Sequence, residues 1–394
     1  MLLDVAPYPV FPPTRGGALA VHHANLAVSA HCQVELISQG LRRDEWRRAF
    51  TGTFSHRHAP SYHEERVYTL PGLIAGYLAG QHAGGSMLSA NWTLRFSRSA
   101  RVRELLEGAD LLQVEHPWQV PTLARWNAGR RPLVMVAHNV EASVAAQVGR
   151  PAREVGAIRT REQDAVAASD AVIAFTDDDR RELIEQAGAD PSKVHVIPLG
   201  VDTNRLRPAA PEARARAKTA LGLEGKRVAL FVGSLYEPNV EAVAALFEMA
   251  SKLDRKDLIF LVVGRVGERF RSNERVRVTG GVADVAPYVA AADLAVNPMR
   301  SGGGMQVKLL EFLAAGLPTI TTPVGARGLA AKDGEDIMVS ELAQFVEALD
   351  SLMADDANAA RLGVNARRLV ESRYGWDAIA RERVRLYESL LQTP

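Results

Sequence analysis

The chain has 394 residues, 47% hydrophobic and 24% charged, with a formal net charge of +1 and one cysteine. That length and balance suit two or three folded domains with a substantial core. The near-zero charge excludes a global nucleic-acid footprint. The lone Cys32 excludes a disulfide framework and a cysteine-based metal site, and fits a reducing, cytoplasmic setting, where it reads as a buried, inert thiol.

The first residues, "MLLDVAPYPVFPPTRGG", lack a basic start and are broken by prolines, so they do not read as a signal peptide. No apolar run reaches the length of a membrane span. Peripheral contact with the inner face of a membrane stays open.

Short apolar runs follow in chain order: "LLDVAP" (2–7), "QVELISQG" (33–40), "LLQVEHP" (111–117), "LVMVAH" (133–138), "AVIAFT" (171–176) and "VHVIPLG" (194–200). They are continuous rather than alternating, as strands buried on both faces should be. Helices are expected after Gly17, over about 142–169 and over about 177–187. The pattern then restarts with "RVALFVG" (227–233), "LIFLVVG" (258–264), "RVRVTGG" (275–281), "DLAVNPM" (293–299), "PTITTP" (318–323) and "DIMVS" (336–340). Helices are expected at 239–253, 283–291, 305–315, 341–353 and 356–372. The stretch "PLGVDTNRLRPAAPEARAR", rich in proline and charge, reads as an interdomain linker.

This is the βα repeat of doubly wound sheets, given twice. The expected organisation is an α/β chain of two Rossmann-like, parallel-sheet lobes facing each other across a cleft. Residues 1–203 would form the first lobe and 204–372 the second. Residues 373–394 would be a final helix packing back on the first lobe.

The most informative stretch is "MRSGGGMQVKLLEFLAAGLPTITTPVG", Met299 to Gly325. Glycines 302–304 follow a strand, where ligands bind in such sheets. They let the backbone approach a ligand and leave N–H groups free at a helix start, a phosphate-binding arrangement. Lys308 sits in the first turn of that helix, the wrong end of the dipole for a cation, and three residues before Glu311, the weaker order for a helical ion pair. A bound anion removes both objections; a plain surface ion pair does not.

This stretch resembles the donor-site signature of family-4 retaining glycosyltransferases, enzymes of the two-lobed GT-B fold. "YPVFPPTRGGALAVHHANL", "VEHP", "AHNVE", "IPLGVD", "FVGSLYEPNVEAV" and "GWDAIA" match the family in order and spacing. The resemblance implies transfer of a sugar from a nucleotide-diphosphate-sugar donor to a saccharide, lipid-linked or small-molecule acceptor, with no metal or other cofactor. It implies that Glu311 holds the donor ribose, and that Gly303, Gly304, Met305 and Gln306 face the diphosphate and sugar. Gly233 and Ser234 would lie on the donor side. Val282, closing "TGGV", would contact the base, or simply end a turn.

Gly16 and Gly17 match the loop over the donor phosphates, or an ordinary βα turn. His116 and His138 end strands of the first lobe, with Glu141 three residues beyond on the acceptor side. They match loops that touch sugar and acceptor, or are structural. The chain also departs from the family. Where many relatives carry a second glutamate it has Gly303. Where they carry Arg-x4-Lys to neutralise the diphosphate it has Ser234 and Asn239. Lys308, with Arg300 second, is the expected replacement for those cations.

Three other motifs are discounted. "TDDDR" (176–180) fits a helix cap better than a metal site. The histidines of "HRH" (56–58) and His63 lack metal-site spacing. "LRRDEWRRAF" (41–50) is basic with two aromatics, and reads as a solvated helix face rather than a lipid contact. A nicotinamide dehydrogenase is disfavoured, since "TRGGALA" and "ISQG" lack the glycine fingerprint and its acidic partner. A non-catalytic nucleotide-sugar sensor and a sugar epimerase of the same fold stay as alternatives. No nucleic-acid partner is expected, and oligomeric state is open.

Overall fold

The computed structural model describes residues 1–13, 16–40, 53–78, 90–97, 99–302 and 305–392. The chain divides into two units. One is Met1–Leu199 with Ile379–Pro394; the other is Gly200–Ala378.

The first unit is built on eight strands: β1 (Leu2–Val5), β2 (Val34–Gln39), β3 (Thr53–Ala59), β4 (Tyr62–Val67), β5 (Leu111–Glu115), β6 (Leu133–Ala137), β7 (Ala171–Ala174) and β8 (Val194–Val196). They lie in the order β3-β4-β2-β1-β5-β6-β7-β8. Every pair is parallel except the β3–β4 hairpin. The apolar runs are buried on both faces, with Leu3, Val5, Ile37, Leu112, Val114, Met135 and Val172 in one core. Each such side chain contributes about 1.5–3 kcal/mol when fully buried.

Three helices position first-unit side chains used below: α1 (Gly16–Val28), α2 (Glu141–Gln147) and α3 (Ala152–Ala168). The single helix expected over 142–169 is thus two, parted where Gly149 takes φ +74° and Pro151 restarts the chain. The next helix, α4 (Asp177–Ala187), begins as a cap should. Thr176 Oγ1 accepts from Asp179 N at 2.9 Å, and three aspartates fill its first turn.

The hairpin β3–β4 was not anticipated. It is polar, yet Glu64 and Arg66 are buried because they pair, and Glu65 because it accepts from the Ser55 hydroxyl. His58 Nε2 lies 3.0 Å from Glu64 Oε2, and Arg66 Nη2 3.0 Å from Glu64 Oε1. Cys32 is half-buried, and burial pushes its thiol up, away from the reactive thiolate.

The second unit holds β9 (Arg227–Val232), β10 (Leu258–Val263), β11 (Val276–Val278), β12 (Leu294–Asn297), β13 (Thr319–Thr321) and β14 (Met338–Val339). All neighbours are parallel, in the order β11-β10-β9-β12-β13-β14. Phe231, Phe260, Val262, Val296 and Ile320 centre its core. The relevant helices are α5 (Pro211–Ala220), α6 (Glu237–Lys252) and α7 (Val307–Ala314), followed by the final helix α8 (Trp376–Gln392). The expected linker contains the division between the units near its start, but all of it from Gly200 on lies in the second unit, and α5 occupies its end. The division between units falls at Leu199–Gly200 and again at Ala378–Ile379, so most of α8 belongs to the first unit.

Both sheets reverse their winding between two neighbouring strands, β1/β5 in the first unit and β9/β12 in the second. Such switch points open a crevice at the strand ends, where ligands of this fold class bind. No helix among the described residues is long and apolar enough to cross a membrane.

Candidate functional site

In the second unit the β9/β12 switch point carries the loop after β9 (Gly233, Ser234) and the turn after β12 (Met299 to Gly302). Gly302 takes φ +124°, a conformation open to glycine. Gly303 and Gly304 lie outside the described residues. Met305 and Gln306 are half-buried, and Gln306 stands at the N-cap of α7 with no side-chain cap bond. The helix starts two residues later than expected, which makes Lys308 its second residue.

Lys308 does not pair with Glu311. Its Nζ donates to Asn239 Oδ1 at 2.6 Å, lies 3.7 Å from Met299 Sδ and sits 4.3 Å from the centre of the Phe231 ring. Asn239 Nδ2 in turn donates to Ser234 O at 3.0 Å. The ammonium thus reaches Asn239 and, through that amide, Ser234, the two residues that stand in place of the family's cations. Its partners are a neutral amide, a thioether and an aromatic face, none of which cancels its charge. Burial pushes its pKa down to about 7.

Glu311, one turn on, is half-buried, and its carboxylate makes no hydrogen bond or ion pair among the described residues. Burial pushes its carboxyl up to about 6, with Arg205 opposing and Asp284 adding. Arg300 points elsewhere. It is half-exposed and forms only a loose 3.8 Å pair with Glu248 on α6, so the structure gives it no place beside Lys308.

Three glycines shape the neighbouring strand ends. Gly264 N donates to Gly280 O at 3.0 Å, bracing the turn that ends in the half-buried Val282. Gly264 takes φ +105°, and a Cβ there would lie 2.4 Å from Gly233 O. Gly264→Ala is expected to cost about 2 kcal/mol or more, from backbone strain plus the clash. Urea unfolding of the variant, showing a lower midpoint at unchanged slope, checks this.

In the first unit the β1/β5 switch point carries Tyr8 and His116. His116 has φ 72° and ψ 164°, a region almost reserved for glycine. Its Nδ1 lies 2.8 Å from Glu141 Oε1 and its Nε2 3.3 Å from Tyr8 Oη. His138, after β6, stacks on it at 4.2 Å between ring centres, and its Nε2 bonds Glu115. Burial, and next the charge of His116, push His138 well below the usual histidine range, so it is neutral. Glu141 opens α2.

Gly17 has a role the sequence left open. A Cβ there would meet Tyr8 Oη at 2.7 Å, so the bare residue lets Tyr8 lie against the start of α1 beside His116. Gly16 begins α1. The basic stretch 41–50 lies outside the described residues. Among the described residues no group of three or more His, Cys, Asp or Glu is placed to hold a metal ion, and the histidines of β3 face Phe11 and Glu64 instead.

Two residues went unread in the sequence. Tyr8 stands inside the stretch matched to the glycine turn, with no motif of its own. Glu162 stands inside the helix expected over 142–169, likewise unmarked. It is buried, and its carboxylate accepts from Glu141 N at 2.5 Å and Ala142 N at 3.0 Å. It caps the helix that presents Glu141 and, for that burial, is pushed up to about 7.

Parallel-sheet α/β lobes wound in this way, the second with a glycine turn and a cation at a helix start, are lobes of the GT-B class. Residues 226–355 match the model of group 1 glycosyl transferases, and residues 53–205 that of Glycosyltransferase Family 4. The chain belongs to these group 1, family-4 glycosyltransferases.

A D-inositol 3-phosphate glycosyltransferase of Streptomyces bingchenggensis is 31% identical over 297 residues, which are 68% of this chain and 63% of that protein. One from Kineococcus radiotolerans is 29% identical over 304 residues, 69% of this chain and 68% of that protein. The chain spans less than two thirds of the Streptomyces relative. Among solved structures, sucrose-phosphate synthase from Thermosynechococcus elongatus superposes with a TM-score of 0.78 at 18% identity, covering 100% of both chains. An Anabaena protein solved with UDP gives 0.71 at 17%, covering 98% of this chain and 99% of its own. At such identities these likenesses show the fold.

Proposed function

We propose that the protein is a retaining, metal-independent glycosyltransferase using a nucleoside-diphosphate-sugar donor. The observation that carries this is the pairing on one short helix of an ammonium, Lys308, and a carboxylate, Glu311, with no carboxylate partner for the first and no partner for the second among the described residues. An anion beside the first and vicinal hydroxyls beside the second complete both.

The bond from the anomeric carbon to the diphosphate oxygen breaks with its electron pair going to the phosphate. Lys308 and the amides at the start of α7 stabilise that charge as it grows. The acceptor oxygen bonds the anomeric carbon on the face the phosphate leaves, and the phosphate takes the acceptor's proton. His116, held by Glu141 and Tyr8, serves the sugar and acceptor side. The acceptor is a hydroxyl of a saccharide, lipid-linked or small-molecule substrate, and the cytoplasm, where such donors are made, is the setting.

Incubation with UDP-, GDP- and ADP-sugars, with and without acceptor, tests this. Acceptor-dependent nucleotide release in EDTA is expected. Tight binding without any release across the panel points to a sensor instead. Glu141→Gln keeps the shape of the His116 bond and removes its charge, which halves its strength. An about tenfold lower kcat is expected, with donor KM nearly unchanged.

A further inference from the structure

We propose that Thr322 is a positioning residue for Lys308: its hydroxyl holds the carbonyl of Met299, and Met299 so held keeps the Lys308 ammonium seated at the start of α7. This rests on the reading that Lys308 meets the donor diphosphate, but its first test does not.

Asn297 ends β12 and Thr321 ends β13, opposite each other in that parallel pair. Both are buried, as is Thr322, the next residue. Thr321 Oγ1 donates to Asn297 O at 3.2 Å and accepts from Asn297 Nδ2 at 3.1 Å, which ties the two strand ends together. Thr322 reaches one step further. Its Oγ1 accepts from Gly325 N at 3.1 Å and so caps the short helix Pro323–Ala326. A cap uses only a lone pair, which leaves the hydroxyl proton to give. Thr322 gives it to Met299 O at 2.7 Å. Met299 N donates to Asn297 O at 2.9 Å, so Met299 is gripped at both of its backbone polar groups. Aspartate in place of Thr322 would cap as well but has no proton for Met299 O, and valine would do neither.

The side chain of Met299 passes this hold on. It is buried, its Sδ lies 3.7 Å from Lys308 Nζ, and its Cε lies 3.8 Å from the place a Cβ on Gly302 would take. One thioether therefore lies against both the glycine turn and the ammonium. Of the three groups around Nζ, Phe231 belongs to β9 and Asn239 to α6, where regular hydrogen bonding fixes the backbone. Only Met299 stands on an irregular turn, so its place is the one that needs a separate hold. The rest of the turn leans towards α6: Arg300 pairs with Glu248, and Ser301 donates to Glu241 Oε2 at 2.9 Å. Phe231, Asn239 and Met299 carry no charge, and Glu311 lies on the lysine's own helix. Burial is the one cause that lowers the Lys308 pKa, so that pKa reads how well the ammonium is seated.

Carbon-13 NMR of the Lys308 Cε against pH, on the whole chain, reads this seat without any substrate. Wild type is expected to titrate with a midpoint of about 7. Thr322→Val frees the Met299 carbonyl and opens the ammonium to water, and is expected to raise the midpoint by about one pH unit or more. Thr322→Ser keeps the hydroxyl and is expected to restore the wild-type midpoint. In turnover with whichever donor supports it, the Val variant is expected to lose about tenfold in kcat/KM. In a Lys308→Met background the same change is expected to cost nothing further, because it acts through Lys308. A threonine that only braced the fold would cost the same in both backgrounds. Equal losses in both, or a Val variant that folds and keeps the wild-type midpoint, overturn the proposal. So does a wild-type Lys308 that titrates in the ordinary lysine range, at about 10.4, which covers the case of a Val variant that does not fold. A midpoint that responds as stated in a chain that transfers no sugar leaves Thr322 as the keeper of the seat and removes the proposed function instead.

Discussion

Lys308→Met is expected to lower kcat/KM for the donor by about 10²–10³-fold, the usual cost of removing one preorganised group that stabilises charge in the transition state. The residue is placed for that task by its lack of alternatives. Its three neighbours, Asn239, Met299 and Phe231, are neutral, and burial has already brought its pKa down to about 7. The free protein therefore carries the charge below pH about 7 and loses it above. A bound diphosphate favours the charged form and raises the pKa again. As far as Lys308 sets it, donor binding should be level just below pH 7 and weaken about tenfold per pH unit above it, with uptake of one proton.

Calorimetry of nucleoside diphosphate binding in two buffers of different ionisation heat measures that uptake. The Met variant should bind weakly and show no such pH dependence. It should also be at least as stable as wild type, because an uncompensated ammonium is replaced by an apolar chain. A Met variant that binds diphosphate with the wild-type affinity and pH slope would put the cation elsewhere.

Glu311→Ala carries the second largest expected effect, about 10²-fold in donor affinity. Two hydrogen bonds from ribose hydroxyls to a carboxylate, each contributing about 1.5 kcal/mol or more, account for it. The carboxyl is pushed up to about 6, chiefly by burial. A group shifted this way is ionised above that pH and protonated below it, so donor affinity should fall as pH drops through 6. Together with Lys308 this predicts a narrow optimum for donor binding between about pH 6 and 7, set by two residues on one helix. Glu311→Gln should remove the acid limb and leave the alkaline one, and Lys308→Met the reverse. A titration of KM against pH for both variants separates the limbs. Limbs that persist unchanged in both would break the assignment.

What could be read from the sequence depended on whether the physics was local. The continuous apolar runs of β1, β5, β6, β9 and β10 announced a doubly wound sheet because each is buried on both faces. The misfit of Lys308 was visible because a helix dipole acts within one turn. The hairpin β3–β4 was not visible. His58, Glu64 and Arg66 look like solvent residues until their pairing shows that they satisfy one another. Helix α5 was mistaken for a linker because it has no buried residue and so no apolar period to read.

The partners of the candidate site are also distant in sequence. Asn239 and Lys308 are 69 positions apart, and Tyr387 and Gln113 are 274 apart. Pairings of that kind leave no trace in spacing.

The second unit is one continuous stretch, Gly200 to Ala378, whose two ends are fastened together. Val201 N donates to Tyr374 O at 2.8 Å, Val201 bridges Gly375, and the Trp376 ring fills the space a Cβ on Gly200 would need. In the language of genetics it is an inserted cassette, and the first unit is the interrupted host. A stop codon just after residue 378 would therefore leave the cassette whole and maim the host, stripping away Tyr387, whose hydroxyl bonds Gln113, encoded 274 codons upstream. A lesion mapped to the tail of this gene would show its defect in the lobe encoded at its head.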